Sequence, residues 1–354
     1  MTANGNAGSG ADRNTARPRV ALIVGTSGIG AETAPPVLEI LESAGARFDF
    51  VRVDVPTAVR RNTETVLGEA AEAIRDCRVA LKTRLIGPGP DAVRVGPGPQ
   101  NPNVALRQML GLWASVRPVR SMPGLPTRYP DLDVLLIREI TESVYRGIEH
   151  EIVDGVVESM KVVSRDACRR IADYAFRIAR RHDRKRITVI HKANIMKQSD
   201  GLFLDTVRSV AAGYTDIEVD DCIVDAACMR MVLNPYDFDV MLMDNLYGDI
   251  LSNLGAGLAG GISTGHAINV GDDCHVFEAV HGDAPHLIGT GQANLLPLLT
   301  PATALLRHFD RHDDAARIDQ AVTAVLEEGR SLTPDLGGQS STWQMARAII
   351  AAMN

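Results

Sequence analysis

Apolar residues alternate between two spacings along this chain of 354 residues. Short apolar runs of strand length are separated by segments in which apolar positions recur every three or four residues, as on one face of a helix. The runs that predict strands are 20–24, 48–53, 79–81, 134–137, 187–190, 217–224 and 238–243. The segments that predict helices are 37–41, 62–76, 164–181, 202–210 and a glycine-rich stretch from Ile250. This alternation is typical of an open α/β sheet.

A proline-rich stretch interrupts the pattern at residues 87–103, which read GPGPDAVRVGPGPQNPN. Its five prolines fix φ and remove backbone donors, so we expect neither a helix nor a central strand there. The composition alone fits a linker between domains. Because the stretch leads directly into Asn103 and Arg107, its position favours a loop at the edge of a cleft.

Charge and composition narrow the classes of partner. The formal net charge is -7 and no long Lys/Arg run occurs, so neither nucleic acid nor an anionic membrane surface is expected as a partner. No stretch approaches the ~18 apolar residues of a membrane span, which predicts a soluble protein. A small anionic substrate would need a local basic pocket.

The cysteines and the first residues bear on the compartment. Five cysteines, an odd number without a CxxC pair, predict neither a disulfide framework nor a zinc site, and a reducing cytoplasm fits them best. Residues 1–18 are small and polar and lack the apolar segment of a signal peptide, so we expect a disordered tail.

The motif GTSGIG at residues 25–30 directly follows the first predicted strand. Such a loop can cradle the phosphates of a dinucleotide. A short-chain dehydrogenase would also need a Tyr-x-x-x-Lys pair, and none of the six tyrosines has a lysine at that spacing. The alternative is a glycine turn that serves only close packing of strand and helix.

Candidate ligand-binding residues fall into a basic and an acidic group. Four arginines lie in otherwise apolar segments, at positions 107, 117, 120 and 138. Several guanidinium groups at one cleft would hold a di- or tricarboxylate, whereas surface salt bridges are the alternative. Arg138 follows the predicted strand 134–137, and α/β folds bind ligands at the carboxyl ends of such strands.

The acidic group would suit a hard divalent cation. Asp225 follows a predicted strand, and Asp249 and Asn253 are four residues apart, which places them on one face of a helix. Oxygen ligands of this kind are preferred by Mg²⁺ and Mn²⁺. Helix capping by Asp249 is the alternative interpretation.

Longer stretches carry a resemblance to a known family. They are, in chain order, NVALR, VRPVRSMPG, TRYPDLDVLLIRE, GIEHEIVDGVVESMKVVSR, HKANIMKQSDGLF, NLYGDILSNLGAGLAGG, FEAVHGDAP and DLGG. The sequence resembles the β-decarboxylating dehydrogenases of isocitrate, homoisocitrate and 3-isopropylmalate, and most of all the NAD-dependent isocitrate dehydrogenases.

The resemblance implies the α/β fold of isocitrate and isopropylmalate dehydrogenases, with two α/β lobes around a cleft and not a standard Rossmann fold. The large lobe would hold residues 19–111 and 260–354. The small lobe would hold residues 112–259, with a dimerisation arm near 143–164. The expected assembly is a homodimer in which Lys192 and Asp225 reach into the active site of the neighbouring subunit.

The resemblance also assigns roles to single residues. Tyr145 and Lys192 would form the catalytic acid/base pair, and Mg²⁺ or Mn²⁺ would be bound by Asp225, Asp249 and Asn253, the last in place of a usual aspartate. The substrate, a hydroxy di- or tricarboxylate, would be bound by Asn101, Asn103, Arg107, Arg117, Arg138 and Asn194. The cofactor NAD would be bound by Lys82, Glu278, His281, Gly282, Ala284, His286, Leu287, Asn294 and Asp335. The family's NAD enzymes normally carry an acidic residue at the position of His286, and its NADP enzymes carry Lys then Tyr, so His286 and Leu287 match neither pattern fully. Leu287, Ala293 and the LGG at 336–338 resemble the NAD enzymes, which favours NAD.

The implied reaction is the NAD-dependent oxidative decarboxylation of an isocitrate-like 3-substituted malate to a 2-oxo acid and CO₂. A lysine beside a divalent cation can accept the proton of the substrate hydroxyl. A metal that chelates the 2-oxo group and its carboxylate stabilises the enolate that decarboxylation produces.

Departures from the family pattern cluster where the substituent on C3 would bind. The usual Arg-Ser-Leu-Asn is here Gln100 to Asn103, the usual Arg-Glu-Asn-Thr-Glu-Gly is REITES with Ile140 and Ser143, and the chain between Lys82 and Asn101 is several residues longer. Two alternatives therefore stay open. One is a specialised enzyme for an isocitrate analogue such as the phosphonate 3-(phosphonomethyl)malate, and the other is a regulatory subunit without catalytic activity.

Overall fold

The computed structural model describes residues 17–56, 63–87 and 101–354. Most of the predicted tail at 1–18 and of the proline-rich stretch at 87–103, together with Gln100, lies outside the described residues. None of the described helices is long and apolar enough to span a membrane.

The described residues form strands and helices in alternation over much of the chain. The strands are β1 (Arg19–Gly25), β2 (Asp49–Val55), β3 (Val79–Lys82), β4 (Ala114–Arg120), β5 (Asp133–Glu139), β6 (Glu149–Val153), β7 (Val156–Ser159), β8 (Arg186–His191), β9 (Glu218–Ile223), β10 (Val240–Met243), β11 (His266–Val270) and β12 (His275–Ala279). The helices are α1 (Gly30–Ser43), α2 (Thr63–Cys77), α3 (Pro102–Met109), α4 (Arg165–Arg181), α5 (Ser199–Ala211), α6 (Val224–Leu233), α7 (Asn245–Leu258), α8 (Leu296–His308), α9 (His312–Glu328) and α10 (Thr342–Ala352).

A single ten-stranded sheet runs through the protein in the order β2-β1-β3-β12-β11-β4-β5-β10-β8-β9. Pairing is parallel at both ends of the sheet and antiparallel at its centre, where β11 contacts β12 and β4, and β4 contacts β5. This antiparallel centre distinguishes the fold from the mostly parallel sheet of a Rossmann domain. Strands such as β5 and β10 are apolar and buried on both faces because helices cover both sides of the sheet.

The apolar core divides into four clusters. Apart from Leu125 and Ile140, the buried members of two clusters come from residues before 113 and after 273. The buried members of the other two clusters come from residues 113–270. This grouping resembles the expected division into two lobes, whose boundaries stay a prediction.

Each predicted strand and helix overlaps an observed element, but several ends differ. Helix α7 begins at Asn245 instead of near Ile250, because the Asp244 side chain caps it by accepting from the backbone N–H of Tyr247 at 3.0 Å. The expectation that 87–103 contains no helix is wrong at its last two residues, which open α3. Proline is tolerated at a first helical position, where its missing N–H has no helical partner.

A hairpin of β6 and β7 stands apart from the main sheet. All residues of its two strands are exposed, including the apolar Ile152, Val153 and Val157. The segments that lead into and out of the hairpin meet at a bridge between Ser143 and Val162. Apolar side chains exposed in this number indicate a surface that another molecule covers.

Candidate active site

Three of the four predicted arginines converge on two carboxylates. Arg117 of β4 and Arg138 of β5 both donate to Asp249 Oδ1, at 3.2 and 2.6 Å. Arg107 of α3 forms an ion pair with Glu278 of β12. The fourth, Arg120, instead pairs with Asp133 at the surface, so the salt-bridge alternative holds for that residue.

The cluster contains more positive than negative charge. Lys82 pairs with Glu278 at 3.0 Å, so among the described residues Lys82 and three arginines are matched against two carboxylates, Asp249 and Glu278. Burial lowers the pKa of Arg117 to about 9, and repulsion from the neighbouring arginines adds to this effect. Such a concentration of buried cations favours the binding of an anionic ligand.

The two carboxylates of the cluster are held in their charged form. Burial opposes ionisation of Asp249, but Arg138 and Arg117 outweigh it and lower its pKa to about 2. Burial opposes ionisation of Glu278 as well, and Arg107 and Lys82 hold its pKa well below the usual range. Burial also lowers the pKa of Lys82, although Glu278 counteracts this effect.

The first turns of α7 position Arg138, whose side chain is only 1% exposed. Asn245 Oδ1 accepts from Arg138 Nε at 3.0 Å and from Nη2 at 2.6 Å. A Cβ atom at Gly248 would collide with the aliphatic part of Arg138, so glycine lets the helix lie directly on this side chain. The segment NLYGD therefore supplies both the space for Arg138 and its ion-pair partner.

Tyr145, one of the two predicted acid/base residues, belongs to the same cluster. Its hydroxyl donates to Asp249 Oδ2 at 2.7 Å, and the Arg138 guanidinium lies 5.1 Å from the centre of its ring. Burial raises the pKa of Tyr145, and the charge of Arg138 counteracts this effect. The phenol is thus kept protonated at neutral pH and can act as a donor.

Lys192, the other predicted acid/base residue, lies in a separate group. Its Nζ donates at 2.5 Å to Asp225 Oδ1, in the first turn of α6, and this hydrogen bond lowers the pKa of Asp225. The Asp225 side chain is 68% exposed, and Asn194 is exposed nearby in sequence. Over residues 17–56, 63–87 and 101–354, no hydrogen bond or ion pair joins Lys192 or Asp225 to Asp249.

The predicted metal ligands Asp225, Asp249 and Asn253 are hydrogen-bonded to other groups of the chain. The described part contains no group of three or more His, Cys, Asp or Glu side chains able to hold an ion. Asn253 Nδ2 donates to the carbonyl of Asp249 at 2.8 Å. Capping of α7 by Asp249 is wrong, since Asp244 caps the helix. Carboxylates such as those of Asp225 and Asp249 are ligands that a divalent cation prefers.

The two predicted C3-pocket asparagines are used inside the chain. Asn103 Oδ1 accepts from Lys82 Nζ at 2.8 Å, and its amide donates to the carbonyl of Leu85 at 2.8 Å. Asn101 caps α3 by accepting from the backbone N–H of Asn103 at 2.9 Å. These contacts hold the start of α3 against the end of β3. The role of the two asparagines in substrate binding stays a prediction.

The predicted cofactor residues lie at the ends of β3 and β12 and in the segments that follow β12. Gly282 and His286 are exposed, Ala284 and Leu287 are partly exposed, and His281 Nδ1 donates to the carbonyl of Gly282 at 2.7 Å.

Neighbouring elements hold these cofactor segments in place. Asn294 donates to Asp335 at 2.9 Å, which ties together two predicted cofactor residues that are 41 positions apart. Glu32 of α1 accepts from the backbone N–H of Gly291 at 2.8 Å, and Arg84 pairs with Asp283 at 2.6 Å. The segment between Glu278 and Asn294 is therefore bound to both α1 and the end of β3.

The glycines of GTSGIG pack against the chain that follows β3. A Cβ atom at Gly25 would collide with the carbonyl of Arg84, one at Gly28 would lie 2.8 Å from Ile86, and one at Gly30 would collide with Thr83. These contacts favour the interpretation of the motif as a turn for close packing.

The sequence reasoning missed several polar side chains of the site. Ser252 accepts from Arg117 Nη1 at 2.5 Å, three residues beyond Asp249 on the same helix. That spacing was a usable signal, because residues three apart share a helix face. Lys161 and Asp200 form a buried ion pair near Lys192, and the scarcity of lysine in the chain was the only hint of it.

Comparison with known proteins relates this chain to one protein family. Residues 19–349 match the family model described as isocitrate/isopropylmalate dehydrogenase. The chain is 42% identical over 353 residues to catalytic subunit 5 of mitochondrial NAD isocitrate dehydrogenase from Arabidopsis thaliana, covering 97% of this chain and 93% of that protein. It is 43% identical over 305 residues to chloroplastic 3-isopropylmalate dehydrogenase from Solanum tuberosum, covering 86% and 84%.

A solved structure shows the same fold. The crystal structure of isocitrate dehydrogenase from Methylococcus capsulatus superposes with a TM-score of 0.85 at 41% identity, covering 95% of this chain and 99% of that chain. The fold class expected from the sequence is therefore confirmed. The chain belongs to the isocitrate/isopropylmalate dehydrogenase family.

Proposed function

We propose that this protein catalyses the NAD-dependent oxidative decarboxylation of an isocitrate-like 3-substituted malate to a 2-oxo acid and CO₂. The observation that carries the proposal is the cluster of Arg107, Arg117 and Arg138. Its positive charge exceeds the negative charge of its carboxylate partners. The relatives support it, because NAD isocitrate dehydrogenase and 3-isopropylmalate dehydrogenase both act on malates substituted at C3.

Substrate binding would exchange one carboxylate for another. Asp249 now accepts from Arg117 and Arg138, and a substrate carboxylate offers the same bidentate geometry to these arginines. When Arg117 and Arg138 donate to the substrate carboxylate instead, Asp249 would be free to serve as a metal ligand together with Asp225 from a second chain. A bound Mg²⁺ or Mn²⁺ would supply Lewis-acid stabilisation of the enolate.

The two acid/base residues would act at different atoms. Lys192 would accept the proton of the C2 hydroxyl, and NAD would supply the acceptor for the hydride from C2. Loss of CO₂ then leaves an enolate. Tyr145, which burial keeps protonated, returns a proton to C3. Tyr145 keeps its contact with the arginine cluster and Lys192 its pair with Asp225, which speaks for a catalytic chain over a silent regulatory subunit.

We propose a homodimer with shared active sites. The two halves of the site have separate hydrogen-bond partners within one chain, which supports a site completed by a second chain. Large apolar side chains are exposed on the hairpin and on α6 and α7, namely Ile152, Val153, Val157, Met229, Leu233 and Ile250. Burial of these side chains between two copies would stabilise the assembly.

The C3 substituent is the open part of the proposal. Asn101 and Asn103 are hydrogen-bonded at the start of α3 and after β3, and residues 88–100 are further candidates to select the substituent. The phosphonate analogue therefore stays the second candidate substrate beside isocitrate. Location in a reducing cytoplasm also stays a prediction, and all five cysteines are free.

The test is NADH formation at fixed protein concentration with Mg²⁺ or Mn²⁺, compared with the same reaction in EDTA. The substrates are isocitrate, homoisocitrate, 3-isopropylmalate, malate and 3-(phosphonomethyl)malate, each with NAD and with NADP. We expect metal-dependent turnover of a 3-substituted malate with NAD and little turnover of malate. Absence of turnover with every substrate and both cofactors would refute the proposal.

A further inference from the structure

A buried ionic network lies beside the segments that carry the two proposed acid/base residues. Its centre is Lys161, which follows β7, and the Lys161 side chain is 13% exposed. The ammonium pairs with Asp200 in the first turn of α5 and, at 2.8 Å, with Asp244 before α7. Both carboxylates are themselves largely buried.

Asp200 connects the network to Lys192. Its Oδ2 accepts from the backbone N–H of Lys192 at 2.6 Å and from the hydroxyl of Tyr247 at 3.0 Å. The main chain at the proposed base is thus held by a carboxylate whose charge Lys161 compensates. Tyr247 belongs to α7, and its ring lies 4.6 Å from Lys161 Nζ.

Asp244 connects the network to Tyr145 and Asp249. Its Oδ1 caps α7, the helix that carries Asp249, and its Oδ2 accepts from Ser143 Oγ at 3.1 Å. Ser143 lies two residues before Tyr145 and bridges Val162, next to Lys161. One ammonium therefore joins the backbone of the proposed base to the helix and the turn that hold the proposed acid.

We propose that Lys161 is a positioning residue that holds the main chain at Lys192 and the N-terminal end of α7, which serve the two different active sites of the proposed dimer. The inference rests on the proposed function and deepens it. Two buried carboxylates without their shared cation would repel each other and recruit water, so the network would open without Lys161. A shift of about 1 Å in a reacting group reduces turnover on the order of 100-fold without a comparable loss of substrate binding.

The experiment compares Lys161→Met, Lys161→Arg and the matched control Lys197→Met in the full-length protein. Lys197 is exposed and lies five residues after Lys192 in the same loop. The measurements are kcat, KM, the pH profile of kcat, circular dichroism and hydrogen exchange of the Lys192 amide. We expect kcat of Lys161→Met to fall about 10- to 100-fold with KM within about twofold of the wild type. The Lys192 amide should exchange faster in this variant.

The controls separate positioning from folding and from the proposed function. Lys161→Arg should recover most of kcat, and Lys197→Met should match the wild type. An unchanged kcat in folded Lys161→Met, or no recovery by arginine, would overturn the inference. If Lys161→Met does not fold, Asp200→Asn removes the charge that pairs with Lys161, and an unchanged kcat and Lys192 exchange would then overturn it. If the wild type turns over no substrate, the proposed function fails, and an unchanged Lys192 exchange in Lys161→Met would overturn the network by itself.

Discussion

Ser143 has a backbone conformation that an L-amino acid rarely adopts. Its φ of 68° and ψ of -154° lie in a region used almost only by glycine, and family members usually carry glycine in this motif. The buried hydroxyl offsets part of this strain by donating to Asp244. The sequence shows the replacement of glycine, but only the structure shows that the strained conformation is kept.

The size of this strain can be measured with two variants that both remove the hydroxyl. Ser143→Ala keeps the strain, whereas Ser143→Gly relieves it. We expect the free energy of unfolding of Ser143→Gly to exceed that of Ser143→Ala by about 1 kcal/mol. Relief of the backbone strain stabilises the glycine variant, and the greater entropy of glycine in the unfolded chain offsets part of this gain. Urea titration of both variants gives the difference. Equal free energies would show that the backbone at this position carries no strain.

Glu278 predicts a dependence of stability on pH. Its pKa in the folded protein is well below that of the unfolded chain, because Arg107 and Lys82 outweigh the effect of burial. A carboxyl group of this kind stabilises the fold above its unfolded pKa of about 4.5, and the contribution is lost as the pH falls further.

Glu278→Gln tests this dependence. We expect it to lower the free energy of unfolding at pH 7 and to flatten the decline of that free energy below about pH 4.5. Urea unfolding at several pH values measures both effects. The exposed Glu327→Gln is the control and should follow the wild-type curve. A Glu278→Gln curve parallel to the wild type would contradict the assignment.

At the scale of elements, α7 connects most of the candidate site. Gly248 allows Arg138 to lie against the helix, and a methyl group there would collide with the arginine. We expect Gly248→Ala to lower the free energy of unfolding by about 1–3 kcal/mol through overpacking and to raise KM by displacing Arg138. Thermal unfolding and steady-state kinetics measure the two effects.

Gly257 in the same helix provides the matched control. A Cβ atom there meets nothing within 4 Å in the chain, so Gly257→Ala should be neutral or stabilising by up to about 1 kcal/mol. If both variants behaved alike, the effect at Gly248 would reflect helix propensity and not its contact with Arg138.

The elements that the sequence predicted best are strands whose burial is visible in a local run of apolar residues. β1, β5, β8 and β10 are continuous apolar runs, which predict a strand covered on both faces. β4 and β11 were not predicted because their buried positions include Arg117, Ser115 and Asn269, which break the apolar pattern. These strands form the antiparallel centre of the sheet, and their pairing depends on contacts between residues distant in sequence.

Candidate ligand residues show the same division. Arg107, Arg117, Arg138 and Tyr145 could be brought together from the resemblance alone, and the structure places them around two carboxylates. The buried pairing of Lys161 with Asp200 could not be predicted, because it depends on three segments whose meeting point is set by packing.

At the scale of the whole molecule, the proposed site depends on two chains. The Asp249 group would belong to one chain and the Lys192–Asp225 pair to the other, since the structure joins them through no direct contact within the described ranges. In a symmetric dimer each chain would then contribute half of both sites. Two inactive variants with defects in different halves should therefore complement each other.

Arg117→Gln removes an arginine from one half, and Lys192→Met removes the base from the other. Each homodimer should be nearly inactive, because both of its sites carry the defect. A hybrid dimer combines both defects in one site and leaves the other site intact. Random reassembly yields half hybrids, so the mixture should regain about a quarter of the wild-type specific activity. Recovery of NADH formation after joint unfolding and refolding of equal amounts measures this. No recovery, with hybrid dimers detected by a mass difference between the two chains, would show that each chain completes its own site.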